Sequence, residues 1–367
     1  MKMEIPVKQV KYRAMHWAKK VFGKTAVSLE KPIFIWGTAR CGTHLLYDLL
    51  SLHSELCYFS TDKRWKKGIW GELHYGDTTP EALKSHPIPV EGFLQVWAKA
   101  GVPDKIYGSC QTHLAGSLDP SFIYSQYQGI KTTMASGRKY RLIDKCPTYI
   151  MFADVIDRFF PDAYHIFCIR DPRAVVNSIL RLIRITSKES VGKEYQDGFF
   201  AHIYPDGYER FVDRHLVETV CWQIAQLLEI GYGFKTLLGD RLVFFQYESL
   251  LDSVEHSVRY LYEKLNLNEE YEFLKYLPKA FPDYSPSFPS EGHTVPDMEI
   301  AYTYAERTYL DALTEAADRF GYNARRIGQI DKSFQKDIRY EYSMVFTRTG
   351  PAGRDAGRLG PAEQLYQ

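Results

Sequence analysis

The stretch Ile33-Phe34-Ile35-Trp36-Gly37-Thr38-Ala39-Arg40-Cys41-Gly42-Thr43-His44-Leu45-Leu46 decides the fold. An apolar run ends at a glycine, a short loop follows, and a helical pattern begins. Gly37 and Gly42 permit a compact loop whose backbone N–H groups converge on an anion. The helix start after Gly42 adds free N–H groups and the positive end of its dipole. Arg40 supplies a planar cationic fork for phosphate or sulfate oxygens. The spacing is near that of a nucleoside-triphosphate P-loop, G-x-x-x-x-G-K-[ST]. Thr43 stands where that loop carries Lys, and His44 where it carries the magnesium-binding hydroxyl. The loop therefore suits a nucleotide whose transferred group needs no metal clamp. A plain strand-to-helix turn is the alternative on this stretch alone.

Other short apolar runs extend the pattern. They are Arg141–Asp144, Tyr164–Ile169 and Leu242–Gln246. Leucines 45, 46, 49 and 50 make one helical stripe; Val175, Ile179, Leu182 and Ile183 make another. Buried runs alternating with amphipathic helices predict an α/β fold, a single domain with a central parallel sheet flanked by helices. A helix is expected over residues 303–321, ending at Gly321.

The run Tyr164–Ile169 leads into Arg170-Asp171-Pro172-Arg173-Ala174-Val175-Val176-Asn177-Ser178. Arg170 falls at a strand's carboxyl end, where open α/β sheets bind ligands. Pro172 suits the first helical turn and Asp171 its cap. Arg170 and Ser178 are placed to grip one phosphate. Arg173 reads as an accessory cation or a solvated one.

Together these motifs resemble those of P-loop-like sulfotransferases that use 3′-phosphoadenosine 5′-phosphosulfate (PAPS). The family's first loop often reads P-R-S-G-T-T; here it is Ala39-Arg40-Cys41-Gly42-Thr43-His44. Its second motif, R-D-P-R-x-x-x-x-S, is complete from Arg170 to Ser178. Asp144-Lys145-Cys146-Pro147-Thr148-Tyr149 resembles its D/E-K-x-P-x-Y element, and Tyr247-Glu248-Ser249-Leu250 its Y-E-x-L segment. The resemblance spans roughly residues 31 to 265 and is nearer the tyrosylprotein and carbohydrate type than the cytosolic small-molecule type. It implies in-line transfer of a sulfuryl group to a hydroxyl or amine. Arg40, Cys41, Gly42, Thr43 and His44 would bind the donor at its 5′ side, and Arg170 and Ser178 its 3′-phosphate. Lys145 would approach the reacting centre. Cys41 and His44 depart from the family's Ser and Thr.

A general base is also required. Glu72-Leu73-His74-Tyr75 resembles the E-x-H-F element of glycosaminoglycan-type enzymes, which favours Glu72. Gln111-Thr112-His113-Leu114 resembles the T-H-L element of the cytosolic type, which offers His113. His74 and His44 are further candidates. Two rival functions stay open: a kinase-like P-loop enzyme, and a non-catalytic nucleotide-binding relative. The aromatic-rich stretch Trp65–Trp97 reads either as an acceptor cleft or as core packing. The acceptor class is open among carbohydrate, lipid, small molecule and peptide.

Composition narrows the rest. Lys and Arg number 46 and Asp and Glu 45, so the formal charge of +1 argues against a nucleic-acid partner. A hydrophobic share of 45% excludes wholesale disorder. No apolar run of membrane-spanning length occurs, and the six scattered cysteines form no metal-ligand pattern. No metal is expected, and the location expected is cytoplasmic. The lead-in, residues 1–30, is basic: eight Lys/Arg from Lys2 to Lys31 face only Glu4 and Glu30, on a helical apolar pattern. That lead-in either rests on an anionic membrane or docks on the body. The catalytic domain is expected over 31–347, with a proline-rich irregular segment at 278–297 and a disordered tail at 348–367.

Overall fold

The computed structural model describes residues 27–61, 72–75, 88–89, 96–103, 105–108, 112–129, 140–186, 199, 203–212, 214, 216–269 and 307–322. The lead-in before residue 27, the proline-rich segment, the tail and most of Trp65–Trp97 lie outside them.

Strand β1 (Val27–Gly37) leads through the loop into α1 (Thr43–Ser51), then β2 (Leu56–Thr61), β3 (Glu72–Tyr75), β4 (Ile88–Pro89) and β5 (Ile106–Tyr107). Helices α2 (Thr112–Ala115) and α3 (Pro120–Gly129) precede β6 (Tyr140–Lys145). A 3₁₀ turn (Pro147–Met151), α4 (Ala153–Phe159), β7 (Tyr164–Ile169) and α5 (Pro172–Thr186) follow. The chain closes with β8 (Ile203–Tyr204), α6 (Leu216–Leu238), β9 (Leu242–Gln246), α7 (Tyr247–Asp252), α8 (Val254–Leu265) and α9 (Arg307–Arg319).

Five strands run parallel in the order β2-β6-β1-β7-β9. Antiparallel β3 and β4 both pair with β2 at its edge. Helices on both faces bury the central strands, which is why they read as unbroken apolar runs. Ile33, Phe34, Ile35 and Trp36 are all fully buried. Trp36 stacks on Phe167 of β7 at 4.8 Å, while Phe34 meets Tyr149 edge-on at 5.7 Å. Trp97 is also core, packed against Phe152 and Phe159. Among the described residues, five of the six cysteines are buried free thiols.

Local chemistry sets the helix ends. Asp171 caps α5 by accepting from the Arg173 backbone N–H at 3.0 Å, with Pro172 at the first helical position. Ser253 caps α8 through the His256 N–H, and Asn266 ends it in the left-handed region at φ 54°. After β1 the chain moves outward to β2; from β7 it later moves outward to β9. Strand order thus reverses between β1 and β7, which opens a crevice at their carboxyl ends.

Candidate functional site

The loop Thr38–Gly42 sits at that crevice. Gly37 and Gly42 are demanded by contact. A Cβ on Gly37 would overlap the Cys168 carbonyl oxygen and the Cys41 thiol. A Cβ on Gly42 would overlap the ring of Tyr247, and its φ of +94° is strained for any L side chain. Arg40 itself takes φ 66°, an uncommon conformation for a residue with a Cβ. It leaves the Arg40 side chain exposed above the crevice. No side chain caps α1, so its first-turn N–H groups face the loop.

The residues singled out in the sequence converge here. Arg40 donates through Nε to Ser178 Oγ at 3.2 Å. Arg170 donates to the Arg40 carbonyl oxygen at 3.1 Å. Its guanidinium lies 5.0 Å from the centre of the Tyr247 ring. Thr43 is buried and His44 is exposed. Lys145, fully buried at the end of β6, places Nζ 2.9 Å from His44 Nε2 and 3.1 Å from Nδ1. Three cations thus gather around one loop, the arrangement an anionic ligand requires.

Cys41 is tied below the loop. The Cys168 thiol donates to its carbonyl oxygen at 3.2 Å. Burial pushes the Cys41 thiol up, but hydrogen bonds from the Cys168 thiol, the Thr43 backbone N–H and the Thr38 side chain, with the Arg170 charge, bring it below the usual thiol range.

Arg173 is not solvated. Only 2% exposed, it pairs with Asp171 at 2.7 Å, so it braces the start of α5. Asp171 is held in turn by Glu248. Glu248 Oε1 accepts from the Asp171 backbone N–H at 3.0 Å, and Oε2 from the Tyr322 hydroxyl at 2.6 Å. Burial raises the Glu248 carboxyl, against the lowering effect of these bonds and of Arg170. The Y-E-x-L segment therefore serves the site through Tyr247 and Glu248. Neither residue has a chemical signature that assigns this part in isolation. Tyr322 follows α9, far along the chain, and no local pattern marks it.

In the D-K-x-P-x-Y element, Asp144 is wholly buried. It accepts from the Tyr149 hydroxyl at 2.7 Å, the Tyr127 hydroxyl at 3.1 Å and the Lys145 backbone N–H at 2.7 Å. Trp97 Nε1 donates to the Tyr127 hydroxyl at 2.9 Å. A buried carboxylate is tolerable only with such satisfaction. The network fixes the strand end from which Lys145 extends.

The base candidates are placed less closely. Glu72 pairs with Ser60 across β2 and β3, which sets its backbone toward the carboxyl end of β2. His74 pairs with Tyr58, farther from that end. His113 lies on α2, whose backbone packs against α4. Asp48, on α1 one turn beyond His44, was not singled out in the sequence; its half-buried carboxyl lies within the field of Lys145. Among the described residues, no group of three His, Cys, Asp or Glu is arranged to hold a metal ion. No described helix is long and apolar enough to cross a membrane.

No curated protein matches the chain. Several solved structures resemble it. The sulfotransferase STF9 from Mycobacterium avium is 14% identical with a TM-score of 0.46, covering 86% of this chain and 81% of its own. STF1 from Mycobacterium tuberculosis H37Rv is 14% identical with a TM-score of 0.41, covering 85% and 80%. The sulfotransferase domain of the Synechococcus PCC 7002 olefin synthase is 18% identical with a TM-score of 0.41, covering 80% and 94%. A sequence model of the sulfotransferase family matches residues 32–271, which take in the loop, Lys145, the Arg170–Ser178 motif and the Tyr247–Glu248 segment, and the chain belongs to that family.

Proposed function

We propose that the protein transfers a sulfuryl group from PAPS to a hydroxyl or amine of an acceptor. The observation that carries this reading is the convergence of Arg40, Arg170, Ser178 and Lys145 on one glycine-bounded loop. The site fits the donor's two anionic ends. Uncapped N–H groups at Gly42–His44, with Arg40, suit the 5′ end. Arg170 and Ser178 suit the 3′-phosphate, and their proximity to Arg40 lets one guanidinium serve both. The donor supplies an activated sulfuryl group joined to a phosphate oxygen.

In the reaction so assigned, the acceptor oxygen or nitrogen bonds to sulfur as the sulfur–oxygen bond to the phosphate breaks. The 3′,5′-bisphosphate departs, and the acceptor proton passes to a base, for which Glu72 is the first candidate and His113 the second. Lys145, with Arg40, would stabilise charge on the leaving oxygen. The location proposed is cytoplasmic, with the basic lead-in as a peripheral membrane contact and no nucleic-acid partner.

A thermal-shift titration with 3′-phosphoadenosine 5′-phosphate, beside ADP with and without Mg²⁺, tests the donor. At about a hundredfold over Kd the bisphosphate should stabilise the fold by roughly 2.7 kcal/mol. A shift with Mg²⁺ and ADP instead would favour the kinase-like enzyme. No shift with either would leave no support for nucleotide transfer.

A further inference from the structure

Helix α9 lies past residue 271, where the match to the sulfotransferase family model ends. It packs on α6 and on α5, the helix that begins just after Arg170. Its end is a Schellman stop. Gly321 turns left-handed at φ 82°, and its N–H donates to the Asp318 carbonyl at 3.0 Å. The Tyr322 N–H reaches back to the Ala317 carbonyl at 2.9 Å. The turn carries the chain across the carboxyl ends of β7 and β9. Gln246, paired with Ile169 in the sheet, donates to the Phe320 carbonyl at 2.6 Å. The Tyr322 hydroxyl then donates to Glu248 Oε2 at 2.6 Å; the Ile169 carbonyl oxygen, at 3.5 Å, is too far to compete.

From Glu248 the bonds lead straight to the nucleotide site. Its Oε1 accepts from the Asp171 N–H at 3.0 Å. The chain neighbours of these two residues, Tyr247 and Arg170, meet with the guanidinium 5.0 Å from the ring centre. The Glu248 bond therefore sets the strand end from which Arg170 reaches the Arg40 carbonyl oxygen. A half-buried carboxyl bonded through both oxygens resists rotation about its last torsion. Without the Tyr322 hydroxyl, one of those oxygens loses its partner and the grip on Asp171 loosens.

We propose that Tyr322 is a positioning residue for the 3′-phosphate subsite: it holds Glu248 against the Asp171 N–H, and this fixes the backbone that presents Arg170. Tyr322 thereby sets the preference for a 3′-phosphorylated nucleotide over the plain 5′-monophosphate. The preference rests on the donor reading; the clasp on Asp171 does not. The 5′ side of the site is built on a different element, the start of α1, so loss of the clasp should spare it.

The test titrates full-length wild type, Tyr322→Phe, Glu248→Ala and the double variant with 3′-phosphoadenosine 5′-phosphate and with adenosine 5′-phosphate. Tyr322→Phe keeps the ring and removes only the hydroxyl. It should weaken the bisphosphate about tenfold and the monophosphate by less than about twofold. In the Glu248→Ala background the same change should have no further effect. Equal losses for the two nucleotides, no loss, or a full loss added to that of Glu248→Ala would overturn the proposal. Hydrogen exchange at the Asp171 amide reads the clasp without a nucleotide. It should run about tenfold faster in Tyr322→Phe, while exchange at Phe167 inside β7 stays the same. Unchanged exchange at Asp171 overturns the clasp. Wild type that does not distinguish the two nucleotides sinks the donor reading instead, and the amide exchange still decides whether Tyr322 holds Asp171.

Discussion

Arg40 donates to Ser178 across 138 positions of sequence, and so joins the loop to the second turn of α5. The two residues belong to different motifs, one assigned to each end of the donor. On the proposed assignment, their contact would make the two half-sites a single anion seat.

Removing either partner should therefore weaken nucleotide binding as a unit. Arg40→Ala and Ser178→Ala should each cost about 1.5–3 kcal/mol in bisphosphate affinity, and the double variant less than the sum. Calorimetric titration of the four proteins measures the coupling. Strict additivity would show that the contact has no part in binding.

Glu72→Gln should abolish turnover and leave bisphosphate binding intact. Single-turnover assays beside equilibrium binding separate the two. Retained turnover moves the proton acceptor to His113 or to the His44 ring.

Gly42 should tolerate no side chain. Gly42→Ala meets the Tyr247 ring and a φ of +94°, and the strain should cost about 1–3 kcal/mol. Adding Tyr247→Ala should relieve the overlap but not the dihedral strain. It should also strip Arg170 of its aromatic support, so stability and nucleotide affinity move apart. Urea unfolding with parallel titrations reads both.

His165 couples folding to pH. It is buried, accepts from Trp36 Nε1 at 3.1 Å, and burial pushes its pKa down to about 3. The unfolded chain binds this proton near pH 6.5 and the folded chain does not. The histidine's contribution is thus intact above pH 6.5 and lost as pH falls toward 3, with a slope of about 1.4 kcal/mol per pH unit. Asp48, raised to about 6, acts in the opposite sense between about 4 and 6. The difference in stability between wild type and His165→Gln at each pH isolates the histidine. A difference that stays flat from pH 7 to 4.5 would refute its neutral burial.

Much of the fold was legible because buried parallel strands carry continuous apolar runs. The runs in β1, β6, β7 and β9 were read directly, as were the stripes of α1 and α5. Strand β2 was not, since its apolar run Leu56–Phe59 is only four residues long and lies between Glu55 and Ser60. The 23-residue α6 also escaped; its inner face mixes Gln223 and Glu218 with aliphatics, and the stripe is blurred. In the site, charged residues after strand ends announced themselves. Tyr322 and Tyr127 did not, because they act by tertiary proximity that spacing does not encode, and Glu248 showed only as part of the Y-E-x-L resemblance, without its role.

The carboxylate bonded by Tyr127 and Tyr149 has a consequence for recognising such enzymes. Four of the five specified features around Lys145, namely Asp144, Pro147, Tyr149 and the turn between them, are architecture. Only the lysine reaches the loop, at His44. On the proposed mechanism, a chain that kept the frame and exchanged that one residue would preserve the signature's outline while forfeiting the reaction. Such a relative would be a mute copy, and inventories drawn up by the pattern alone would count it among the living enzymes.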